Sequence, residues 1–174
     1  EPIAIPPPGY TYQAAPCPEA ATPARFYRPC EDQMALLAAA RDRARSEGKL
    51  LIVKFGANWC PSCRALHGQL TGEAPANVLA ADEALGRSFH VVEIAVSMLS
   101  GGKARPVPSG EAVVKLLAEA SPGTKLRAIP LLAIADPADA HKVFFRNVDD
   151  LVPRGKPLPD PEQLAAMLRA AERH

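Results

Sequence analysis

The alternation of apolar and polar positions along the chain predicts a regular series of helices and strands. Met34, Leu37 and Ala44 recur at helical spacing, whereas residues 50–55 form a short apolar run of the kind that makes a buried strand. The predicted elements are a helix from residue 31 to a stop signal at Gly48, a strand at 50–55, a helix at 61–70, a strand at 89–96, a helix at 111–120 capped by Ser109, strands at 130–135 and 142–148, and a final helix that begins after Asp160.

This order of elements predicts an α/β fold with a central mixed sheet flanked by helices. Alternating strands and helices are typical of parallel pairing with helices on the faces of the sheet. The two consecutive strands within 130–148 add an antiparallel pair. Segments 71–88 and 97–109 are polar and contain glycine or proline, so we expect them to be surface insertions.

Composition narrows the class of protein. The 174 residues are 48% hydrophobic and carry a formal net charge of +1, which is typical of one globular domain and excludes wholesale disorder. A charge this close to zero argues against a nucleic-acid partner. The sequence has no apolar run near the roughly 18 residues that a membrane span requires, so we predict no membrane span. We expect a monomer.

Proline is concentrated at the start of the chain: eight of the 19 prolines lie within the first 29 residues. Because proline fixes φ and has no N–H donor, residues 1–30 are predicted to form an extended arm, and residues 31–174 the folded domain. Cys17 and Cys30 are placed to staple this arm by a structural disulfide, which the loop-entropy model values at about 3 kcal/mol. The alternative is a second redox pair that exchanges with the other two cysteines.

A disulfide in the arm predicts a location outside the reducing cytoplasm, in the periplasm or another extracytoplasmic compartment. A chain that begins with Glu1 also fits a processed form from which a secretory signal has been removed.

The remaining cysteines, Cys60 and Cys63, are two residues apart and lie between a predicted strand and a predicted helix. A thiol at a helix N-terminus is close to unpaired N–H groups and to the positive end of the helix dipole. Both favour the thiolate, which is the nucleophile in disulfide exchange. The sequence therefore predicts a redox-active pair. Half of a zinc site and a static disulfide are the alternatives.

The stretch Phe55-Gly-Ala-Asn-Trp-Cys-Pro-Ser-Cys-Arg64 resembles the active-site segment of the thioredoxin superfamily, in particular bacterial thioredoxin-like proteins. Ile129-Pro130, before a later strand, resembles the cis-proline of that family, and the likeness extends from residue 31 to the C-terminus. The resemblance implies a thioredoxin-like fold and a thiol–disulfide oxidoreductase acting on protein cysteines.

The resemblance also implies a role for each matching residue. Cys60 would attack a client disulfide, and Cys63 would resolve the mixed disulfide. Pro130 and Ile129 would dock the client chain, while Trp59 and Pro61 would border the site. The exchange needs no cofactor and no metal, because the dithiol itself carries two electrons. The partners implied are client proteins with thiols or disulfides, and an upstream protein that donates or accepts electrons.

Two positions depart from the family. Six residues before the nucleophilic cysteine, where thioredoxins have a buried acid, this chain has Lys54, and Glu93 falls where the family often has a lysine. We expect a charge-swapped pair of Lys54 with Glu93, because a buried lysine needs a partner. Glu93 would then accept the proton of Cys63, and Lys54 would favour the Cys63 thiolate. The alternative is that Lys54 extends to water at the edge of the sheet.

Two other functions stay open at this stage. The pair could belong to a non-catalytic binding module that presents the groove of the fold to a partner. Alternatively, His67, four residues after Cys63, could complete a copper or zinc site with the two cysteines. The simpler interpretation is a histidine that faces solvent or supports the site from behind. For the oxidoreductase, Ser62 beside the thiolate favours an intermediate potential, with reduction of clients favoured over oxidation.

Overall fold

The computed structural model of the protein describes residues 1–14, 16–21, 26–73 and 75–173. The strands are β1 (Leu50–Gly56), β2 (Phe89–Ala95), β3 (Ser97–Ser100), β4 (Lys103–Pro106), β5 (Leu131–Asp136) and β6 (Asp139–Asn147). The helices are α1 (Gln33–Ser46), α2 (Pro61–Thr71), α3 (Val78–Ala81), α4 (Glu83–Ser88), α5 (Pro108–Glu119) and α6 (Pro161–Glu172). Short 3-10 turns span Pro18–Ala21 and Val148–Leu151.

Within the described residues the main sheet has four strands in the order β2-β1-β5-β6. β1 pairs with β2 in parallel and with β5 antiparallel, and β5 pairs antiparallel with β6. The fold is therefore α/β with a mixed sheet, as the alternation of elements predicts. β3 and β4 form a separate two-stranded hairpin.

The sheet separates two hydrophobic layers, because successive side chains of a strand point to opposite faces. Leu51, Val53 and Phe55 of β1 pack into one layer together with residues of α1 and α5. Ile52 packs into the other layer, which contains residues of α2, α3, α4 and α6. Lys54 shares the face of Ile52, so the chain places a charge in line with an apolar core.

Two sequence expectations about insertions are wrong in part. Segment 71–88 contains α3 and α4, and its buried Val78, Leu79 and Leu85 belong to the second hydrophobic layer. Segment 97–109 forms the β3–β4 hairpin, of which β4 is exposed, but it continues into the buried Val107 and Ser109. Short amphipathic helices separated by polar caps are difficult to recognise from periodicity, since each spans little more than one turn.

The expected cap of α5 is also wrong. The N-cap residue is Val107 rather than Ser109, and no side chain caps this end. The buried Ser109 hydroxyl instead accepts a hydrogen bond from the Gln33 N–H, at 3.1 Å, and so joins the starts of α5 and α1.

The first residues of the arm pack onto the domain. Ile3, Ile5 and Tyr10 lie against the first hydrophobic layer, and the Ala140 N–H donates to the Glu1 carbonyl at 2.7 Å. Cys17 and Cys30 form the expected disulfide, with their Cα atoms 5.6 Å apart. No helix among the described residues has the length and apolar character needed to cross a membrane.

Candidate active site

The second disulfide, Cys60–Cys63, lies where β1 passes into α2. Cys60 is the N-cap of α2, Pro61 occupies the first turn, and the Cys63 N–H donates to Cys60 Sγ at 3.2 Å. The helix thus directs an otherwise unpaired N–H at the sulfur of Cys60. Cys63 is fully buried and Cys60 is 4% exposed. These contacts favour negative charge on the sulfur of Cys60 over that of Cys63.

Three neighbours border the pair. Trp59 is 37% exposed, and its indole N–H donates to Ser97 Oγ on β3 at 3.1 Å. Ser62 Oγ lies 3.6 Å from Cys60 Sγ, within reach of the sulfur. Pro61 is exposed at the start of the helix. The β3–β4 hairpin, expected as a surface insertion, therefore contacts Trp59 at one side of the site.

The Ile129–Pro130 peptide bond is cis, as the resemblance implies. Ile129 packs against the small apolar cluster that contains both Cys60 and Cys63, and Pro130 is buried. The fold thus brings this distant dipeptide beside the cysteine pair.

Lys54 and Glu93 are adjacent across β1 and β2, in the parallel register Lys54↔Glu93. The Lys54 ammonium donates to Glu93 Oε1 at 3.2 Å, so the expected pair is present. Lys54 has no solvent exposure, which excludes the alternative of a side chain extending to water. Burial lowers the pKa of Lys54, and the neighbouring Glu93 carboxylate opposes that shift.

His67 extends this buried pair towards the surface. Its Nδ1 lies 2.5 Å from Glu93 Oε1, and its side chain is 25% exposed. The Thr71 hydroxyl is within 2.8 Å of the same nitrogen, and the Phe26 ring stacks on the imidazole at 3.8 Å between centroids. His67 is therefore more enclosed than a solvent-side histidine. In the part of the chain that the structure describes, His, Cys, Asp and Glu side chains form no group of three that could hold a metal ion.

Tyr27, from the arm, is a residue that the sequence interpretation missed. It is 1% exposed, and its ring centroid lies 4.9 Å from Lys54 Nζ. Asn58 holds it from both sides: the Tyr27 N–H donates to Asn58 Oδ1 at 3.0 Å, and Asn58 Nδ2 donates to the Tyr27 carbonyl at 2.9 Å. Burial, followed by the charge of Glu93, raises the pKa of the Tyr27 phenol well above its usual range. The one signal for this role was two adjacent aromatic residues in a proline-rich arm.

Gly56 makes room for this contact. A Cβ on Gly56 would overlap the Tyr27 hydroxyl and would come within 2.7 Å of Cys63 Sγ. A glycine at this position therefore lets an arm side chain and the inner cysteine approach the same point of β1.

Gln33 fixes the arm behind Tyr27. Its buried amide donates to the carbonyls of Arg28 and Glu31, at 2.7 and 2.9 Å, and accepts from the Ala95 N–H at 2.8 Å. The last residues of the arm are thus tied to the end of β2. This role of Gln33 was not predictable from the sequence, because glutamine at the start of a helix is ordinary.

Neither the family models nor the curated proteins searched contain a match to this chain.

Proposed function

We propose that this protein is a thioredoxin-like thiol–disulfide oxidoreductase that reduces disulfides of client proteins through Cys60 and Cys63. The observation that carries the proposal is the hydrogen bond from the Cys63 N–H to Cys60 Sγ at the start of α2. A sulfur in this position is stabilised as a thiolate, the attacking species in exchange. The mixed sheet, the cis Ile129–Pro130 bond and the buried charge pair support the same class.

The reaction starts from the reduced pair. The Cys60 thiolate attacks one sulfur of a client disulfide, that bond breaks, and the other client sulfur leaves as a thiolate. Cys63 then loses its proton and attacks Cys60 Sγ. The bond between Cys60 and the client breaks, and the Cys60–Cys63 disulfide forms. Two electrons have passed to the client, and an external dithiol protein must return two electrons before the next cycle.

Glu93 is the proposed proton acceptor for the resolving step. Its carboxylate is 12% exposed and contacts both Lys54 and His67. Lys54 favours negative charge in this cluster, and His67 gives the proton a route towards water. We expect Glu93→Gln to slow release of the mixed disulfide. An exchange rate unchanged between about pH 6 and pH 9, the range around the usual thiol pKa, would contradict this role.

The client chain is proposed to lie between Trp59 and Ile129–Pro130, where exposed and apolar groups border the cysteine pair. A disulfide in the arm also supports an extracytoplasmic location.

The test is insulin reduction by a small-molecule dithiol, with Cys60→Ser as the control. We expect the wild-type protein to accelerate precipitation of the insulin B chain and the variant to lose that acceleration. Equal slow rates would reject the oxidoreductase and favour a binding module. The reduction potential of the pair then sets the direction of electron flow: a value near about −270 mV supports a reductant, and one near about −120 mV an oxidant.

A further inference from the structure

The Tyr27 hydroxyl is a buried hydrogen-bond donor. It is enclosed by the protein, and among the described residues its oxygen has no hydrogen-bond partner. A buried hydroxyl without a partner costs free energy, and natural proteins seldom retain one without a reason. Phenylalanine would fill the same space at this position without that cost.

The sulfur of Cys63 lies close to this hydroxyl. Tyr27 Oη and Cys63 Sγ both lie against the position that a Cβ of Gly56 would occupy, so they approach the same point from two elements of the fold. Both residues also belong to the apolar cluster around the cysteines. Asn58, one residue before Trp59, fixes the Tyr27 backbone and therefore the height of the ring over β1.

The oxidation state of Cys63 decides whether this donor is used. A disulfide sulfur is a weak acceptor, whereas a thiolate accepts a strong, charge-assisted hydrogen bond. Because burial and Glu93 keep the phenol protonated to high pH, the hydroxyl remains a donor wherever exchange takes place.

We infer that the Tyr27 hydroxyl donates a hydrogen bond to the sulfur of Cys63 when the pair is reduced, so that the N-terminal arm supplies part of the active site. The consequence for catalysis rests on the proposed function. In the resolving step Cys63 gives its proton to Glu93, the new thiolate accepts from Tyr27, and the sulfur then attacks Cys60 Sγ. Tyr27 keeps its own proton throughout.

Among the described residues, the charged and titratable groups that cluster beside Tyr27 are Lys54 on β1, Glu93 on β2 and His67 on α2. Each of them is left in place by Tyr27→Phe, which removes a single oxygen and keeps the ring and its backbone contacts. A change in the acidity of Cys63 in this variant therefore reports on the hydroxyl.

The experiment measures the acid dissociation constant of Cys63 from thiolate absorbance, in protein carrying Cys60→Ala. We expect Tyr27→Phe to lower that constant roughly tenfold, the effect of losing one hydrogen bond to a charged group. The matched control is Tyr10→Phe, because Tyr10 is an arm tyrosine whose hydroxyl donates to Asp32 at 2.7 Å. The control should leave the constant unchanged.

A kinetic measurement gives a second readout. A mixed disulfide between Cys60 and a coloured aromatic thiol releases that thiol when Cys63 attacks. Tyr27→Phe should slow the release about threefold: the thiolate fraction falls about tenfold, and the higher nucleophilicity of the more basic thiolate offsets part of the loss.

An unchanged dissociation constant in Tyr27→Phe, or an equal change in Tyr10→Phe, would overturn the inference. Should Tyr27→Phe fail to fold, fluorotyrosine in a Tyr10→Phe, Tyr12→Phe background asks the same question. The stronger donor should raise the dissociation constant several-fold, and no change would again reject the contact. Because no client is involved, a shift in Cys63 acidity without insulin reduction would reject the proposed function and leave this inference standing.

Discussion

Cys17–Cys30 and Cys60–Cys63 are both disulfides, but the fold surrounds them differently. The arm pair joins residues 13 apart in sequence, is half-buried, and lies against Met98, whose Sδ is 3.8 Å from Cys17 Sγ. The motif pair joins residues three apart, is buried, and begins a helix.

The comparison separates the contribution of a disulfide to stability from the effect of its surroundings on thiol acidity. Closing a longer loop restricts the unfolded chain more, so the arm pair contributes more to stability. A helix N-terminus and nearby buried charges alter thiol acidity, and the motif pair has both. Met98 packs against the cluster of the motif pair while it contacts the arm pair, so the two disulfides share a neighbour. Exchange between the two pairs stays the alternative to a purely structural role for the arm pair.

The largest effect on stability is expected when one of the charges beside the motif pair is removed. Glu93→Gln leaves the fully buried Lys54 without its anion, so we expect a loss of about 3–5 kcal/mol in the free energy of unfolding. Urea denaturation measures it. Glu31→Gln, beside the arm pair, is the matched control: Glu31 pairs with Arg28 at the surface, and the change should stay within about 0.5 kcal/mol.

A further variant tests the cause of that loss. Adding Lys54→Met to Glu93→Gln removes the unpaired charge, and much of the lost stability should return. A double variant as unstable as Glu93→Gln alone would mean that the pair has little to do with the effect.

Removing the bonds themselves sharpens the contrast. Cys17→Ala with Cys30→Ala should lower the free energy of unfolding by about 3 kcal/mol and retain exchange activity. Cys60→Ala with Cys63→Ala should cost less, about 2 kcal/mol for the shorter loop, and abolish activity. Thermal denaturation and insulin reduction measure the two quantities. Loss of activity in a folded arm variant would instead favour the arm pair as a second redox centre.

Gly56→Ala tests how tightly the arm fits the motif. The new methyl would overlap the Tyr27 hydroxyl and crowd Cys63, so we expect a destabilisation of about 1–3 kcal/mol in chemical denaturation. Gly68→Ala is the control, since Gly68 lies within α2 with nothing within 4 Å of its Cβ position. That change should stabilise the protein by up to about 1 kcal/mol. Equal effects at the two glycines would contradict the close approach.

The smallest effect is a loss of stability at alkaline pH. The pKa of Tyr10 is raised by burial and by its hydrogen bond to Asp32, and that of Tyr27 by burial and Glu93. Above about pH 10 the unfolded chain releases these protons and the folded chain keeps them. The stability that both groups contribute below that pH is therefore lost as pH rises, and solvent screening reduces the share of the partly exposed Tyr10.

Single variants show how much of the fall in stability with pH each tyrosine causes. Tyr10→Phe should remove the part that arises beside Asp32, and Tyr27→Phe the part that arises beside the motif pair. The lowered pKa of Lys54 has the opposite effect on stability. Between that lowered pKa and about pH 10.5 the unfolded chain binds a proton that the folded chain has released, so stability rises with pH. A slope unaffected by either tyrosine variant would contradict the assignment.

Much of the fold follows from local pattern. α1, β1, α2, β2, α5 and α6 agree with periodicity, turn residues and caps, all of which act over a few residues. The Lys54–Glu93 pair was also predictable, because burial leaves a charge few alternatives. The position of Tyr27 over Lys54 was not predictable, since it depends on a contact between the arm and a strand that is distant in sequence. The short α3 and α4 were missed because each is too brief to show a helical period.

The space beside Gly56 is filled from a distant part of the sequence, and this couples two positions that lie 29 residues apart. A side chain at position 56 could not fill this volume in place of the arm, because its Cβ would come within 2.7 Å of Cys63 Sγ. The glycine therefore makes room for the inner cysteine and for the arm at once. A graft of the Trp59–Cys63 segment into another scaffold needs the glycine in every case, and it needs an arm residue such as Tyr27 to fill the space beside it.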